Sequence, residues 1–223
     1  MCGRFGLDAD IKTIKAKFHL DELEEIEPRY NIAPTEEILA ISQVEPDYLK
    51  ASYFYWGLIP FWAKDKKIGS QMINAKAETL PQKPAFKKAF EQRRCIVPVS
   101  GFFEWKKQGD KKQPFYIKHR MNDLLAVAAI WEDWQGREGE HIKSCCLITT
   151  EANDFLSDVH HRMPVILDQK SQNTWLNPES DKNELQNTLV PYQHDNLISY
   201  PVTPKMNNAR FKLKDAIEPI SKE

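Results

Sequence analysis

The run Cys95-Ile96-Val97-Pro98-Val99-Ser100-Gly101-Phe102-Phe103-Glu104-Trp105 decides the fold class. Branched and aromatic side chains dominate it, and nothing in it repeats at helical spacing, so it is read as a strand. Runs of the same kind lie to either side. Ile38–Val44 and Tyr48–Trp56 precede it; Pro114–Ile117, Leu124–Trp134, Ser144–Thr150, Met163–Leu167 and Leu197–Val202 follow. Helical patterns fall near Pro84–Gln92, Glu151–Val159, Ser171–Leu176 and Asn183–Leu189, too few and too irregular for a regular βαβ alternation. An earlier one pairs Ile11, Ile14 and Phe18 behind Asp8 as N-cap. The acidic stretch 21–27 is read as a surface loop, and Pro28 and Pro34 hold Arg29-Tyr30-Asn31-Ile32-Ala33 extended as a rigid connector. The expected fold is α+β, with a mostly antiparallel, barrel-like sheet flanked by short helices.

Composition narrows the function. At 223 residues, 41% hydrophobic and 28% charged, the chain fits one domain with its own core, expected to span residues 2–223 after loss of Met1. No apolar run approaches the roughly 20 residues that cross a bilayer, and no secretory signal is visible, so a cytoplasmic monomer is expected. Four cysteines in a reducing compartment are read as free thiols, Cys95, Cys145 and Cys146 as packing residues. No spacing suits a metal, and with eight glycines there is no phosphate-cradling loop, so no cofactor is expected. Net charge is −1, from 31 basic and 32 acidic residues, so any nucleic-acid site must be local. Basic pairs at 87–88, 93–94, 106–107 and 111–112 can line a phosphate path or merely face solvent.

Cys2 follows the initiator methionine, and a small second residue permits removal of Met1. The product is a terminal 1,2-aminothiol. An α-amine titrates near 7.7–8.0 against about 10.4 for a lysine, so its neutral, nucleophilic fraction at pH 7 is roughly 100-fold larger. It can attack an aldehyde, and the thiol of the same residue can then close a five-membered ring. The same terminus also suits an N-terminal-nucleophile hydrolase, and a small residue at a frayed terminus needs no function.

Six motifs decide among these readings: Met1-Cys2-Gly3-Arg4-Phe5, Tyr30-Asn31-Ile32-Ala33-Pro34, Trp56-Gly57-Leu58-Ile59-Pro60, Ile73-Asn74-Ala75-Lys76-Ala77-Glu78-Thr79, Gly101-Phe102-Phe103-Glu104-Trp105 and His160-His161-Arg162-Met163-Pro164. With them the chain resembles the SOS response-associated peptidase family, the abasic-site processing proteins, from Cys2 to Ile217-Glu218-Pro219. The resemblance implies a DNA-repair protein that binds single-stranded DNA and holds an abasic site as a thiazolidine crosslink. β-Lyase activity through the imine and self-removal of Met1 are attached to it, and replication or repair proteins are expected partners. It makes Cys2 the nucleophile, has Asn74 orient the terminal amine and the sugar, and gives proton handling to Glu104 and His160.

Each residue also has a plainer reading. Glu104 can pair with Lys106 or Lys107 on a surface hairpin, Asn74 can cap a helix starting at Ala75, and His161 can take the role of His160. For the DNA, Arg4, Lys76 and Arg162 are candidate phosphate contacts, Phe61 and Trp62 a stacking wedge or core, and Thr150 a hydrogen-bonding partner. Lys76 stands where the family often has arginine, which keeps the charge but loses the bidentate fork. A thiol peptidase and a non-enzymatic single-strand binding module remain the competing functions.

Overall fold

The computed structural model describes residues 2–45 and 48–220. Among the described residues the strands are β1 (Phe5–Leu7), β2 (Arg29–Ile32), β3 (Glu37–Glu45), β4 (Tyr48–Trp56), β5 (Asn74–Lys76), β6 (Arg94–Val99), β7 (Gly101–Gln108), β8 (Lys111–His119), β9 (Leu125–Gln135), β10 (His141–Glu151), β11 (Arg162–Pro164) and β12 (Leu197–Pro201). The α-helices are α1 (Ile11–Phe18), α2 (Pro84–Gln92), α3 (Asp154–Ser157), α4 (Gln169–Leu176) and α5 (Lys182–Asn187).

Five strands close on themselves. β3 pairs with β4 and β6, β6 with β9, and β9 with β10, all antiparallel; β10 returns to β4 in parallel and completes the ring. Closure removes the exposed sheet edges of these five strands. β10 carries two short additions, β5 in parallel and β11 antiparallel. A second, antiparallel sheet runs in the order β12, β8, β7, β1, β2. This is the expected α+β fold with a mostly antiparallel, barrel-like core.

Burial explains the apolar runs. All six positions of β6 are buried, because it lies between β3 and β9 with α4 against it: Trp175 Nε1 donates to the Cys95 carbonyl at 3.0 Å. A strand covered on both faces is read as a continuous apolar run rather than an alternating one. In β10, residues 144–150 are buried for the same reason.

The deciding run itself is not one strand. It breaks at Ser100 into β6, in the barrel, and β7, in the second sheet. Ser100 N–H donates to the Gly6 carbonyl at 2.8 Å and its Oγ accepts from Asp8 N at 2.7 Å, so the corner is tied to β1. Gly101 is required there, since a Cβ would lie 2.4 Å from Tyr116 Cζ and 2.7 Å from the Ile117 carbonyl oxygen.

Other expectations change in detail. Asp10, not Asp8, caps α1, its side chain accepting from Thr13 N, because the helix begins at Ile11, directly after it. The proline-bracketed connector forms β2, recruited as an edge partner of β1. No helix starts at Ala75: residues 74–76 pair with β10, and only a 3-10 turn, Ala77–Thr79, follows. The 151–159 pattern shrinks to α3 because β10 extends to Glu151. Of the basic pairs, Arg93 and Arg94 are structural. Buried Arg94 donates to the carbonyls of Phe90, Glu91, Trp175 and Asn177, and Arg93 pairs with buried Glu132 at 2.8 Å.

Candidate active site

The N-terminal segment is fixed before its chemistry begins. Phe103 N–H donates to the Arg4 carbonyl at 2.9 Å, laying the residues before β1 along β7 and bringing Cys2 beside Glu104. Cys2 is 1% exposed, and its Sγ lies 3.8 Å from the Arg4 carbonyl oxygen. Burial, with the Glu104 charge adding to it, pushes the Cys2 thiol far above its ordinary range. The thiol is therefore neutral at physiological pH.

Asn74 arrives from the barrel side. It opens β5 opposite Leu147 of β10, and its Nδ2 donates to the Cys2 carbonyl at 2.8 Å. Its Oδ1 is buried and finds no hydrogen bond among the described residues. An orphaned buried acceptor beside Cys2 is a place for an incoming donor.

Glu104 is 2% exposed on β7. Burial raises its carboxyl to about 7, against the lowering pull of the Trp105 N–H. It is buried within β7 and not on the surface of the hairpin, so the surface-pair alternative does not describe it. His160 follows α3, with Nδ1 accepting from Arg162 N–H at 3.0 Å and lying 4.0 Å from Glu104 Oε2. Burial lowers its pKa below the ordinary imidazole value. Exposed His161 stacks on it, ring centres 4.4 Å apart, so it is His160 that faces Glu104. The structure thus brings together Cys2, Asn74, Glu104 and His160, which lie up to 158 residues apart in the chain. The group combines the Cys2 thiol with a carboxyl poised to give or take a proton near neutrality.

The candidate DNA contacts are placed unevenly. Lys76 is exposed two residues after Asn74 and shares its face of β5. Phe61 and Trp62 are 49% and 52% exposed on the turn after Pro60, with Lys88 Nζ 4.5 Å above the Phe61 ring. Arg4 is half-buried, donating to the Met206 carbonyl at 3.2 Å. Thr150 is buried on β10 opposite Met163. Arg162 is buried as well: its guanidinium grips Glu78 at 2.6 and 3.0 Å and the Thr149 carbonyl at 2.7 Å.

Two supports were not singled out from sequence. Glu78, held below the usual carboxylate range by Arg162, braces the strand whose first N–H holds His160. Asn31, fully buried, donates through Nδ2 to the Met206 and Phe211 carbonyls at 2.9 Å each and anchors the C-terminal segment beneath Arg4. Both sit inside quoted motifs, which was the available signal.

The SOS response associated peptidase (SRAP) family model matches residues 1–209. Abasic site processing protein YoqW of Bacillus subtilis (strain 168) is 41% identical over 223 residues, covering 98% of this chain and 99% of the relative. Abasic site processing protein YedK of Escherichia coli (strain K12) is 30% identical over 99% of this chain and 100% of its own length. A crystal structure of a protein from Bacteroides thetaiotaomicron superposes with a TM-score of 0.89 at 25% identity, over 99% of this chain and 100% of that one. The match over nearly the whole length, together with the motifs gathered around Cys2, makes this chain a member of the SOS response associated peptidase family.

Proposed function

We propose that the chain acts in the repair of abasic sites, trapping the ring-opened sugar in single-stranded DNA as a thiazolidine on Cys2. The observation that carries the reading is the convergence on Cys2 of the Asn74 amide, 2.8 Å from its carbonyl oxygen, and of a Glu104 carboxyl with His160 4.0 Å away. The relatives' names, abasic site processing proteins, supply the lesion. Met1 lies outside the described residues, and its removal is part of the proposal.

The chemistry follows from the protonation states. An abasic sugar is mostly a closed hemiacetal, and Glu104, titrating at about 7, can take the O1′ proton that releases the aldehyde. The Cys2 thiol is held neutral by burial, so the α-amine attacks first. The resulting carbinolamine loses water to give an imine, Glu104 in its acid form donating to the departing hydroxyl. The thiol then adds across the C=N bond, sulfur to carbon and its proton to nitrogen, so one water leaves overall. The imine is also the intermediate from which β-elimination at the 3′ phosphate can branch.

The family's name favours a second reading, a thiol peptidase acting on Met1 or on other chains. The neutral, buried thiol weighs against it, since thiol peptidases attack as thiolates. Intact mass of untagged protein, incubated with a single-stranded oligonucleotide bearing one abasic site, separates the two. The expected product is protein plus oligonucleotide less one water, mapped to Cys2 and stable without borohydride. No adduct on protein confirmed to begin at Cys2 would remove the repair reading and leave peptide hydrolysis to be assayed.

A further inference from the structure

Tyr116 is a buried polar group that the reaction at Cys2 does not use. Its side chain is 1% exposed, and its hydroxyl has no hydrogen-bond partner among the described residues. Burying such a group is costly, yet two glycines make room for this one: a Cβ at Gly6 would stand 3.1 Å from the hydroxyl oxygen, and one at Gly101 2.6 Å from it. Tyr116 pairs with Phe103 across β7 and β8, and side chains alternate along a strand, so it lies on the face opposite Glu104. It takes no part in the site around Cys2.

On that face the second sheet and the C-terminal segment enclose a cleft of about 440 Å³, within the ~300–1,000 Å³ of small-molecule sites. Tyr116 lines it, with Ser100, Lys118 and Tyr200 half-buried beside it. Burial holds the Tyr116 phenol neutral, and Tyr200 and Asp8, both cleft residues, are near enough to add to the effect. The Tyr200 hydroxyl is committed to the Ile217 carbonyl at 2.9 Å, which fixes the far wall. Ser100 Oγ accepts from Asp8 N at 2.7 Å and keeps its own proton to donate. Lys118 Nζ gives one N–H to Asn122 Oδ1 at 2.7 Å and has others left. The inner cleft thus offers two hydroxyls and one ammonium, the complement of a single carboxylate. Farther out the sign reverses. Asp8, Glu218 and Lys214 are exposed there, and neither carboxylate has an ion-pair partner among the described residues. A dianion such as phosphate would meet net repulsion on entry, whereas a positive group next to the incoming carboxylate would be attracted.

We propose that this cleft binds a small zwitterion of the α-amino-acid type, its carboxylate against Lys118 and the Ser100 and Tyr116 hydroxyls and its ammonium toward Asp8 and Glu218. The ligand supplies the partner that the Tyr116 hydroxyl lacks within the chain. Because the cleft lies on the face away from Glu104, its occupancy is independent of what the site at Cys2 acts on.

The test is a chemical-shift titration of isotope-labelled, full-length protein with each standard α-amino acid singly at millimolar concentrations. At least one should give saturable shifts centred on the amides of Ser100, Gly101 and Lys118. The methyl ester and the N-acetyl form of that amino acid should each bind about tenfold more weakly or worse, having lost one charge apiece. Tyr116→Phe should weaken binding by about tenfold, and Lys118→Gln by more. Tyr116→Phe also controls for folding: it removes a buried hydroxyl that has no partner, so its melting temperature should equal or exceed the parent's. A lower melting temperature would assign that hydroxyl a partner inside the protein and overturn the proposal. Absence of saturable shifts with every amino acid overturns it, as does a ligand that binds both variants as tightly as the parent. Equal affinity for the amino acid and its N-acetyl form overturns it too, and leaves a site for simple carboxylates.

Discussion

Burial of a carboxyl raises its pKa, and Glu104, 2% exposed and shifted from 4.5 to about 7, has both consequences of that. The first bears on the proposed reaction: acid and base forms coexist at neutral pH. Glu104→Gln should slow crosslinking by at least 10²-fold in single-turnover gels while affinity for a non-reactive strand stays within about twofold. The parent's rate should peak between about pH 7 and 8, rising as the terminal amine loses its proton and falling as Glu104 loses its own. In Glu104→Gln the falling limb should disappear. The second consequence is a stability cost. Because the folded-state pKa lies above the unfolded one, the folded protein binds the extra proton, and the contribution is full below about pH 4.5 and lost as pH rises to about 7. Relative to Glu104→Gln, the parent should lose on the order of 3 kcal/mol across that window in urea titrations. A parallel pH profile in the two proteins would falsify the buried-acid account. At this scale the residue types and motifs named the four central positions, but not that Arg162 would turn inward onto Glu78. That pairing depends on a neighbour 84 residues away.

At the scale of elements, the strands that could be read from sequence are the longer ones, of five residues or more. β4 is found at Tyr48–Trp56 and α2 at Pro84–Gln92, the bounds the pattern gave, while β9 and β10 differ only at their ends. β1, β2 and β5 were not legible as strands because three or four residues hold too little alternation to register. They exist because partners elsewhere offer open hydrogen-bonding edges. The corner at Ser100 was equally invisible, since an apolar run continues across it. Gly101→Ala should therefore cost about 2 kcal/mol or more, by denaturant midpoint, and slow crosslinking too, because β7 carries Glu104 away from the corner. Asp10→Ala removes only a helix cap and should cost about 1 kcal/mol without changing crosslinking, as none of the four site residues lies on α1.

For the molecule as a whole, the site lies where the closed barrel and the second sheet meet: Asn74 comes from a strand added to β10, Glu104 from β7, and Cys2 from the segment pinned between them. Any residue left ahead of Cys2 by a purification tag turns the amine into an amide, and such protein should show no adduct by intact mass until the tag is cleaved to expose Cys2. By itself the sequence determined the α+β class and the family, and singled out four residues that the structure brings together, because these depend on residue type, local period and ordered motifs, all of them properties of chain order. Only the tertiary structure decided which short segments became strands, that the run through Ser100 divides between two sheets, that Arg162 faces Glu78, and that Glu104 titrates near neutrality. Each of these depends on which distant groups approach and how much water they exclude, and neither quantity is written in local sequence.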